Sequence, residues 1–175
     1  SAMLAPHAAA VHVVPYGIDT ARFALDAAAR AAARSRWRPP GAGAVLAFVG
    51  RLRYYKGLDV AIEALPELPG MHLLAVGTGP MGAAWRALAD ARGVAGRVHW
   101  LGDVADADLP AVLASADAYV LPASARSEAF GIAMVEGMAA GLPVISTELG
   151  TGTSWVNQDG VTGAVVAPRD PGALA

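Results

Sequence analysis

Short apolar runs alternate with longer helical stretches along this chain of 175 residues. The runs are bounded by Gly, Pro or Asp and are apolar throughout, which is typical of strands buried on both faces of a parallel sheet. They predict strands at Val11–Val14, Val45–Val49, Leu73–Val76, Val98–Leu101, Ala118–Leu121, Val144–Ser146 and Ala164–Val166. Helices are predicted within Ala21–Arg34, Asp59–Leu65, Met81–Arg92, Leu109–Ala114 and Ile132–Ala140. This order predicts an α/β fold, a Rossmann-like three-layer sandwich with a parallel sheet.

Ligands of such sheets bind beyond the carboxyl ends of the strands. Arg51, Gly77, Asp103 and the loop before Gly131 each follow a predicted strand. We therefore expect these four positions to gather at one edge of the sheet and to form the ligand site.

The most informative segment holds two glutamates around one predicted helix start. The helix begins near Gly131 and ends at Gly141, and its first turn has no Ser, Thr, Asp or Asn to cap the backbone N–H groups. Uncapped N–H groups at a helix start form a ready phosphate site. Glu128 precedes this start, and Glu136 lies about 7 Å further along the helix. Two carboxylates flanking an anion site suit a nucleotide sugar, which has hydroxyls at both ends and phosphate between them.

Composition narrows the class of protein. The net charge of −2 argues against a nucleic-acid surface, and the absence of cysteine excludes disulfides and thiol chemistry. No apolar run approaches the roughly 18 residues of a membrane span. Ser1-Ala2-Met3 looks like a cloning remnant rather than a targeting sequence. The helix that Asp170 and Pro171 start near the end of the chain suggests one half of a two-domain protein.

Two motifs offer rival functions. The run from Gly77 to Gly82 is a formal Gly-x-Gly-x-x-Gly, and Asp103 follows about 20 residues later, as in a dinucleotide fingerprint. Its position on an inner strand-helix unit, rather than the first, argues against NAD or FAD. Asp106-Ala107-Asp108 is similar to an Asp-x-Asp metal motif, but Asp108 followed by Pro110 favours a helix cap.

Several motifs in one order identify a resemblance that covers nearly the whole chain. The spacing Glu128-x7-Glu136 resembles the signature of retaining glycosyltransferases of the GT-B fold, in particular family 4. The other matching segments are Val13-Val14-Pro15-Tyr16-Gly17-Ile18-Asp19, Phe48-Val49-Gly50-Arg51-Leu52, Lys56-Gly57, Val76-Gly77-Thr78-Gly79-Pro80, Trp100-Leu101-Gly102-Asp103-Val104 and Asp159-Gly160-Val161-Thr162-Gly163. The resemblance implies the C-terminal, donor-binding half of such an enzyme, over residues 4–175, with the N-terminal acceptor domain absent.

The resemblance also implies roles for individual residues. Arg51 and Lys56 would stabilise the leaving diphosphate, and Glu128 would hydrogen-bond the sugar, so these three are the candidate catalytic residues. Glu136 would bind the ribose. The other candidate substrate-binding residues are Gly50, Val104, Phe130, Gly131 and Ile132.

The implied donor is a UDP- or GDP-hexose, transferred with retention to a glycan, lipid or small molecule, with no metal or cofactor expected. The location implied is cytoplasmic, with peripheral association at the inner face of the membrane left open, and the chain alone is expected to transfer no sugar. A Rossmann-like nucleotide- or dinucleotide-binding module and a GT-B sugar-nucleotide epimerase remain alternatives. Two departures from the family pattern are Thr153-Ser154-Trp155, where a Glu is common, and Tyr16, where Asn is frequent.

Overall fold

A six-stranded parallel sheet forms the centre of the molecule in this computed structural model, which describes residues 5–12, 14 and 16–175. The strands are β1 Ala44–Val49, β2 Met71–Val76, β3 Val98–Gly102, β4 Ala118–Leu121, β5 Val144–Thr147 and β6 Gly163–Val166. They lie in the order β3-β2-β1-β4-β5-β6. The chain adds β2 and β3 on one side of β1 and then β4, β5 and β6 on the other side, so the strand order reverses between β1 and β4. The predicted Rossmann-like fold is therefore confirmed.

Helices cover both faces of this sheet. They are α1 Ala27–Trp37, α2 Leu58–Ala64, α3 Gly82–Ala91, α4 Leu109–Ala114, α5 Ile132–Ala139, α6 Gly152–Val156 and α7 Pro171–Leu174. One hydrophobic core packs α2, α3 and α7 against one face, around Ile62, Trp85 and Leu174. A second core packs α4 and α5 against the other face, around Leu113 and Met134. The two cores give the three layers that the sequence predicts.

The structure departs from the sequence prediction in the N-terminal part of the chain. Of the predicted strand at 11–14, the described residues 11, 12 and 14 form no strand. Val13 and Pro15, which belong to the first matching motif, lie outside the described residues, as do residues 1–4. The helix predicted at Ala21–Arg34 begins only at Ala27, because the Asp26 side chain caps it by accepting a hydrogen bond from the Ala29 N–H at 2.8 Å.

At the other end of the chain, α7 begins as predicted. The Asp170 carboxylate accepts a hydrogen bond from the Ala173 N–H at 2.9 Å, and Pro171 is the first helical residue.

The reversal of strand order between β1 and β4 positions the ligand site. In open α/β sheets the crevice at such a switch point, beyond the carboxyl ends of the strands, is where ligands bind. The loop after β1 contains Gly50, Arg51 and Lys56, and the loop after β4 contains Glu128 and Gly131. Within the described part of the chain, no helix is long and apolar enough to span a membrane.

Candidate functional site

The loops after β1 and β2 are fastened to each other by their backbones. The Leu52 N–H donates to the Thr78 carbonyl at 2.9 Å, and the Met81 N–H donates to the Leu52 carbonyl at 3.0 Å. A Cβ at Gly77 would lie 2.2 Å from the Gly50 carbonyl oxygen, and one at Gly79 would lie 2.5 Å from the Leu52 carbonyl oxygen. Gly77 and Gly79, the first two glycines of the dinucleotide-like run, are thus required by the packing of two loops, without a dinucleotide.

A cleft of about 450 Å³ opens beside these fastened loops. The Thr78 hydroxyl lies 3.1 Å and 3.2 Å from the two Asp103 carboxylate oxygens, within reach to donate a hydrogen bond to either. Both side chains are exposed. The residues that line this cleft are Val49, Gly50, Arg51, Val76, Gly77, Thr78, Asp103 and Val104. Gly50, Arg51 and Val104, three of the residues singled out from the sequence, are therefore brought together here.

A second group of predicted residues meets around an ion pair. Lys56 Nζ lies 2.7 Å from Glu128 Oε2. Both side chains are nearly withdrawn from solvent, with exposed fractions of 13% and 9%. At this distance the ammonium and the carboxylate are in direct charge-assisted contact. The sequence places both residues at one edge of the sheet but gives no sign that they are paired.

Two glycines hold Lys56 in this position. Gly57 has φ +68°, and a Cβ there would lie 1.9 Å from the Pro122 carbonyl oxygen. The loop after β1 therefore rests directly on the end of β4. A Cβ at Gly50 would lie 3.3 Å from Lys56 Nζ, so the lysine stem packs across Gly50. Since Gly50 also lines the first cleft, the ion pair and that cleft are neighbours.

The start of α5 is open, as the sequence predicts. Gly131 precedes the helix in a left-handed conformation (φ 81°, ψ 53°), and no side chain caps the helix. The N–H groups of Phe130, Gly131 and Ile132 make no hydrogen bond to any residue that the structure describes. All three residues line a cleft of about 510 Å³, whose full lining is Tyr16, Lys56, Ser127, Glu128, Ala129, Phe130, Gly131, Ile132 and Ala133. Ion pair and open helix start thus share one cleft.

Glu136 has a different environment from Glu128. It is half-buried in α5, and burial raises the pKa of its carboxyl; the charge of Arg22 opposes this and that of Asp106 adds to it. Unlike Glu128, Glu136 does not line the cleft at the start of α5. Its assignment to a ribose stays a prediction.

Tyr119 on β4 supports the site from below and was not singled out from the sequence. Its ring is fully buried, and its hydroxyl donates to the Val49 carbonyl at 3.2 Å, at the end of β1. A Cβ at Gly137 would lie 2.8 Å from the ring, so this glycine lets α5 approach β4. Burial raises the pKa of Tyr119, and the charges of Glu128 and Glu136 raise it further. The sequence signal for this close packing is Gly137, a glycine in the middle of α5.

The segment that departs from the family pattern is tied by hydrogen bonds to the loop that carries Glu128. The Glu148 carboxylate accepts hydrogen bonds from the Gly150 N–H at 2.7 Å and from the Ser154 hydroxyl at 2.6 Å. The Thr151 hydroxyl donates to the Glu128 carbonyl at 2.9 Å. The start of α6 is therefore tied to the loop that carries Glu128. Glu148 and Thr151 are further residues that the sequence did not single out.

The Asp-x-Asp run is a helix start. Asp108 occupies the capping position of α4, but its side chain caps no N–H and instead pairs with Arg36 at 3.1 Å. The predicted position is right and the predicted capping bond is wrong, because Asp108 has helical backbone angles (φ −88°, ψ −20°) whereas a capping residue is extended. Among the described residues, no group of three or more His, Asp or Glu side chains is arranged to hold a metal ion.

Comparison with known proteins settles the family. The family described as "Glycosyl transferases group 1" matches residues 29–175. The chain belongs to this family. The resemblance drawn from the motifs is therefore confirmed.

Two relatives with known roles show which glycosyltransferases the chain is similar to. The D-rhamnosyltransferase WbpZ of Pseudomonas aeruginosa is 42% identical over 162 residues, which cover 93% of this chain and 41% of WbpZ. The GDP-mannose-dependent alpha-(1-6)-phosphatidylinositol monomannoside mannosyltransferase of Mycobacterium tuberculosis is 38% identical over 177 residues, covering 96% of this chain and 46% of that enzyme. The chain thus spans less than half the length of these relatives.

A solved structure supports the fold. The structure of Anabaena Alr3699/HepE in complex with UDP and glucose matches with a TM-score of 0.83 and 25% identity, over 94% of this chain and 45% of that one. That protein binds UDP and glucose within a fold that this chain shares.

Proposed function

We propose that this glycosyltransferase chain is the donor-binding domain of a retaining, family 4 enzyme that transfers a hexose from a nucleoside diphosphate sugar. The observation that carries the proposal is the buried Lys56–Glu128 pair beside the open start of α5. A diphosphate sugar presents anionic oxygens next to hydroxyls. The cleft presents an ammonium and free N–H groups next to the carboxylate of Glu128.

The two cations have complementary roles in this proposal. When the bond between the sugar C1 and the phosphate oxygen breaks, negative charge develops on the departing diphosphate. Lys56 and the N–H groups of Phe130, Gly131 and Ile132 would stabilise that charge. The exposed Arg51 offers a planar guanidinium that fits phosphate oxygens and lies on the base side of the cleft. Glu128 would hold the sugar hydroxyls, and Glu136 the ribose.

Asp103 favours guanine as the donor base. A carboxylate accepts hydrogen bonds and donates none, and guanine offers N–H groups on its ring and on its exocyclic amine. Uracil offers a single N–H that lies between two carbonyl groups. A carboxylate near this N–H would be repelled by the two carbonyl oxygens. Asp103 lines the same cleft as Arg51 and Val104. The mannosyltransferase relative described above is named as GDP-mannose-dependent, which agrees with this assignment.

The remaining parts of the proposal follow the family. The acceptor is a glycan or glycolipid, held by a domain that this chain does not contain, and the reaction uses no metal or cofactor. The full-length enzyme works in the cytoplasm, at the inner face of the membrane when its acceptor is a lipid. Residues 1–175 alone bind the donor weakly and transfer no sugar.

Calorimetric titration with GDP, UDP and NAD tests the proposal. We expect GDP to bind more tightly than UDP, and NAD to bind not at all. Asp103→Asn should weaken GDP about tenfold, the value of one charge-assisted hydrogen bond, and should leave UDP nearly unchanged. Asp106→Asn is the matched control, because Asp106 is an exposed aspartate that does not line the cleft.

The outcomes separate the proposals. Tighter binding of NAD than of either diphosphate would restore the dinucleotide function of the Gly77–Gly82 run. Equal effects of Asp103→Asn on GDP and UDP would reject the guanine assignment and leave the diphosphate site intact.

A further inference from the structure

A groove next to the proposed donor site is lined by three aromatic rings. The Tyr16 and Phe130 ring centres are 6.0 Å apart, and those of Phe130 and Trp155 are 6.5 Å apart. The groove has a volume of about 330 Å³ and is lined by Tyr16, Phe130, Val135, Trp155, Val156 and Gln158. We call this the aromatic groove. Its volume is at the lower end of the range for small-molecule sites.

The aromatic groove adjoins the cleft at the start of α5. Tyr16 and Phe130 line both, and that cleft also contains Glu128 and the uncapped N–H groups. A molecule in the groove would therefore lie next to the sugar of a bound donor. In a transferase, the group that must approach the donor sugar is the acceptor.

The chemistry of the lining identifies the acceptor's class. None of the described residues that line the groove is charged, so it offers no cation for a phosphate. It combines aromatic faces with the Gln158 amide and the Tyr16 hydroxyl. Sugar rings have the matching character, because their C–H faces pack on aromatic rings while their hydroxyls need hydrogen-bond partners. The Tyr16 and Trp155 side chains, 71% and 61% exposed, are open to such a ligand.

We propose that the aromatic groove binds a neutral saccharide unit of the acceptor, with Trp155 as its main contact. This inference rests on the proposed transferase function and adds to it an acceptor site on the donor-binding domain. A second copy of the chain or a lipid tail would be the other occupants of an exposed apolar groove, and the experiment below includes both.

Nuclear magnetic resonance of the tryptophan indole N–H groups tests the inference on this chain. The probes are methyl α-D-mannopyranoside and α-linked mannotriose, with GDP as a separate titration. We expect mannotriose to shift the Trp155 signal saturably and to leave the signal of the buried Trp85 in place. Trp155→Ala identifies the signal and should weaken mannotriose about tenfold while leaving GDP affinity unchanged. Trp155→Phe should retain most of the saccharide affinity.

Each other result overturns the inference in a recognisable way. GDP binding without a saccharide-induced shift at Trp155 would reject the aromatic groove and leave the proposed function standing, whereas absence of GDP binding would reject the proposed function itself. A Trp155 signal that broadens with protein concentration indicates a second copy. One that broadens only with phosphatidylcholine vesicles indicates a lipid.

Discussion

At the ends of β1 and β2 the loops of the ligand edge are held to each other by backbone contacts, whereas beyond β4 the edge carries a nearly buried ion pair between side chains. On the first side, Gly77 and Gly79 let neighbouring loops touch, and the loops exchange backbone hydrogen bonds. On the second side, a lysine from the first half pairs with Glu128 inside the cleft. The loops after β1 and β2 thus form a rigid frame with exposed polar groups. The cleft beyond β4 holds the desolvated charges that the proposed sugar transfer requires. Gly57 is one close contact between the two sides, because its backbone lies against the Pro122 carbonyl at the end of β4.

Gly57→Ala should have the largest effect, because the added Cβ would push the loop after β1 away from the end of β4. Its Cβ would lie 1.9 Å from the Pro122 carbonyl oxygen. We expect a loss of about 3 kcal/mol or more in the free energy of unfolding, from left-handed strain and overpacking together. Gly93→Ala is the matched control, because Gly93 has the same φ of +68° and no heavy atom within 4 Å of its added Cβ. Urea unfolding should show a loss of about 1–2 kcal/mol there. Equal losses would show that the contact between the halves has no energetic weight.

Lys56→Ala should be next in size, because it leaves the Glu128 carboxylate buried without its partner. Breaking a fully buried ion pair costs about 3–5 kcal/mol, and the small exposure of this pair lowers our expectation to about 2–3 kcal/mol. Arg51→Ala removes an exposed cation and should change the free energy of unfolding by no more than about 0.5 kcal/mol. Urea unfolding of both variants measures the difference.

A second variant separates charge from packing. If the unpaired carboxylate causes the loss, Lys56→Ala combined with Glu128→Gln should recover much of it. A double variant as unstable as Lys56→Ala alone would mean that the lysine stem acts by packing across Gly50.

The same division between backbone and side chains explains what the sequence could predict. Glycines at fixed positions after apolar runs predict strands, turns and the loops that approach one another, so the sheet and its ligand edge follow from the pattern. The open start of α5 follows from the absence of a capping side chain before Ile132. These features are local, and local spacing is what a single sequence records.

Long-range pairings leave no such record. Nothing near Lys56 or Glu128 in the sequence shows that the two charges meet across 72 residues. Thr151 is likewise an ordinary loop residue until the hydrogen bond of its hydroxyl to the Glu128 carbonyl, 23 positions away, is seen. Asp108 was predicted to cap α4, but its carboxylate pairs with Arg36, 72 positions away. Tertiary contacts of this kind are not recorded in local spacing.

Replacing Glu128 or Glu136 by glutamine tests whether the two carboxylates have different roles in ligand binding. Glu136→Gln should weaken GDP about tenfold, because a charge-assisted hydrogen bond to the ribose becomes a neutral one. Glu128→Gln should not weaken free GDP, because it only releases Lys56 for the diphosphate. Calorimetry with GDP measures both. If the two variants weaken GDP equally, the roles assigned to the two carboxylates are wrong.

The pH dependence of stability should show the smallest effect, at Glu136. Burial raises the pKa of this carboxyl above its ordinary value of 4.5, so the folded chain binds the proton more tightly than the unfolded chain does. The cost of keeping the charge half-buried is therefore complete at neutral pH, and it is relieved as the pH falls through the raised folded pKa toward 4.5.

Glu136→Gln removes this cost. In the absence of ligand we expect the variant to be more stable than the parent at pH 7, by less than about 1 kcal/mol because the group is partly solvated, with the advantage shrinking toward pH 4.5. Glu67→Gln, at an exposed glutamate, is the control and should follow the parent chain. Thermal unfolding of the three proteins across this pH range measures the effect, and a Glu136→Gln advantage that grows as the pH falls would contradict the raised pKa.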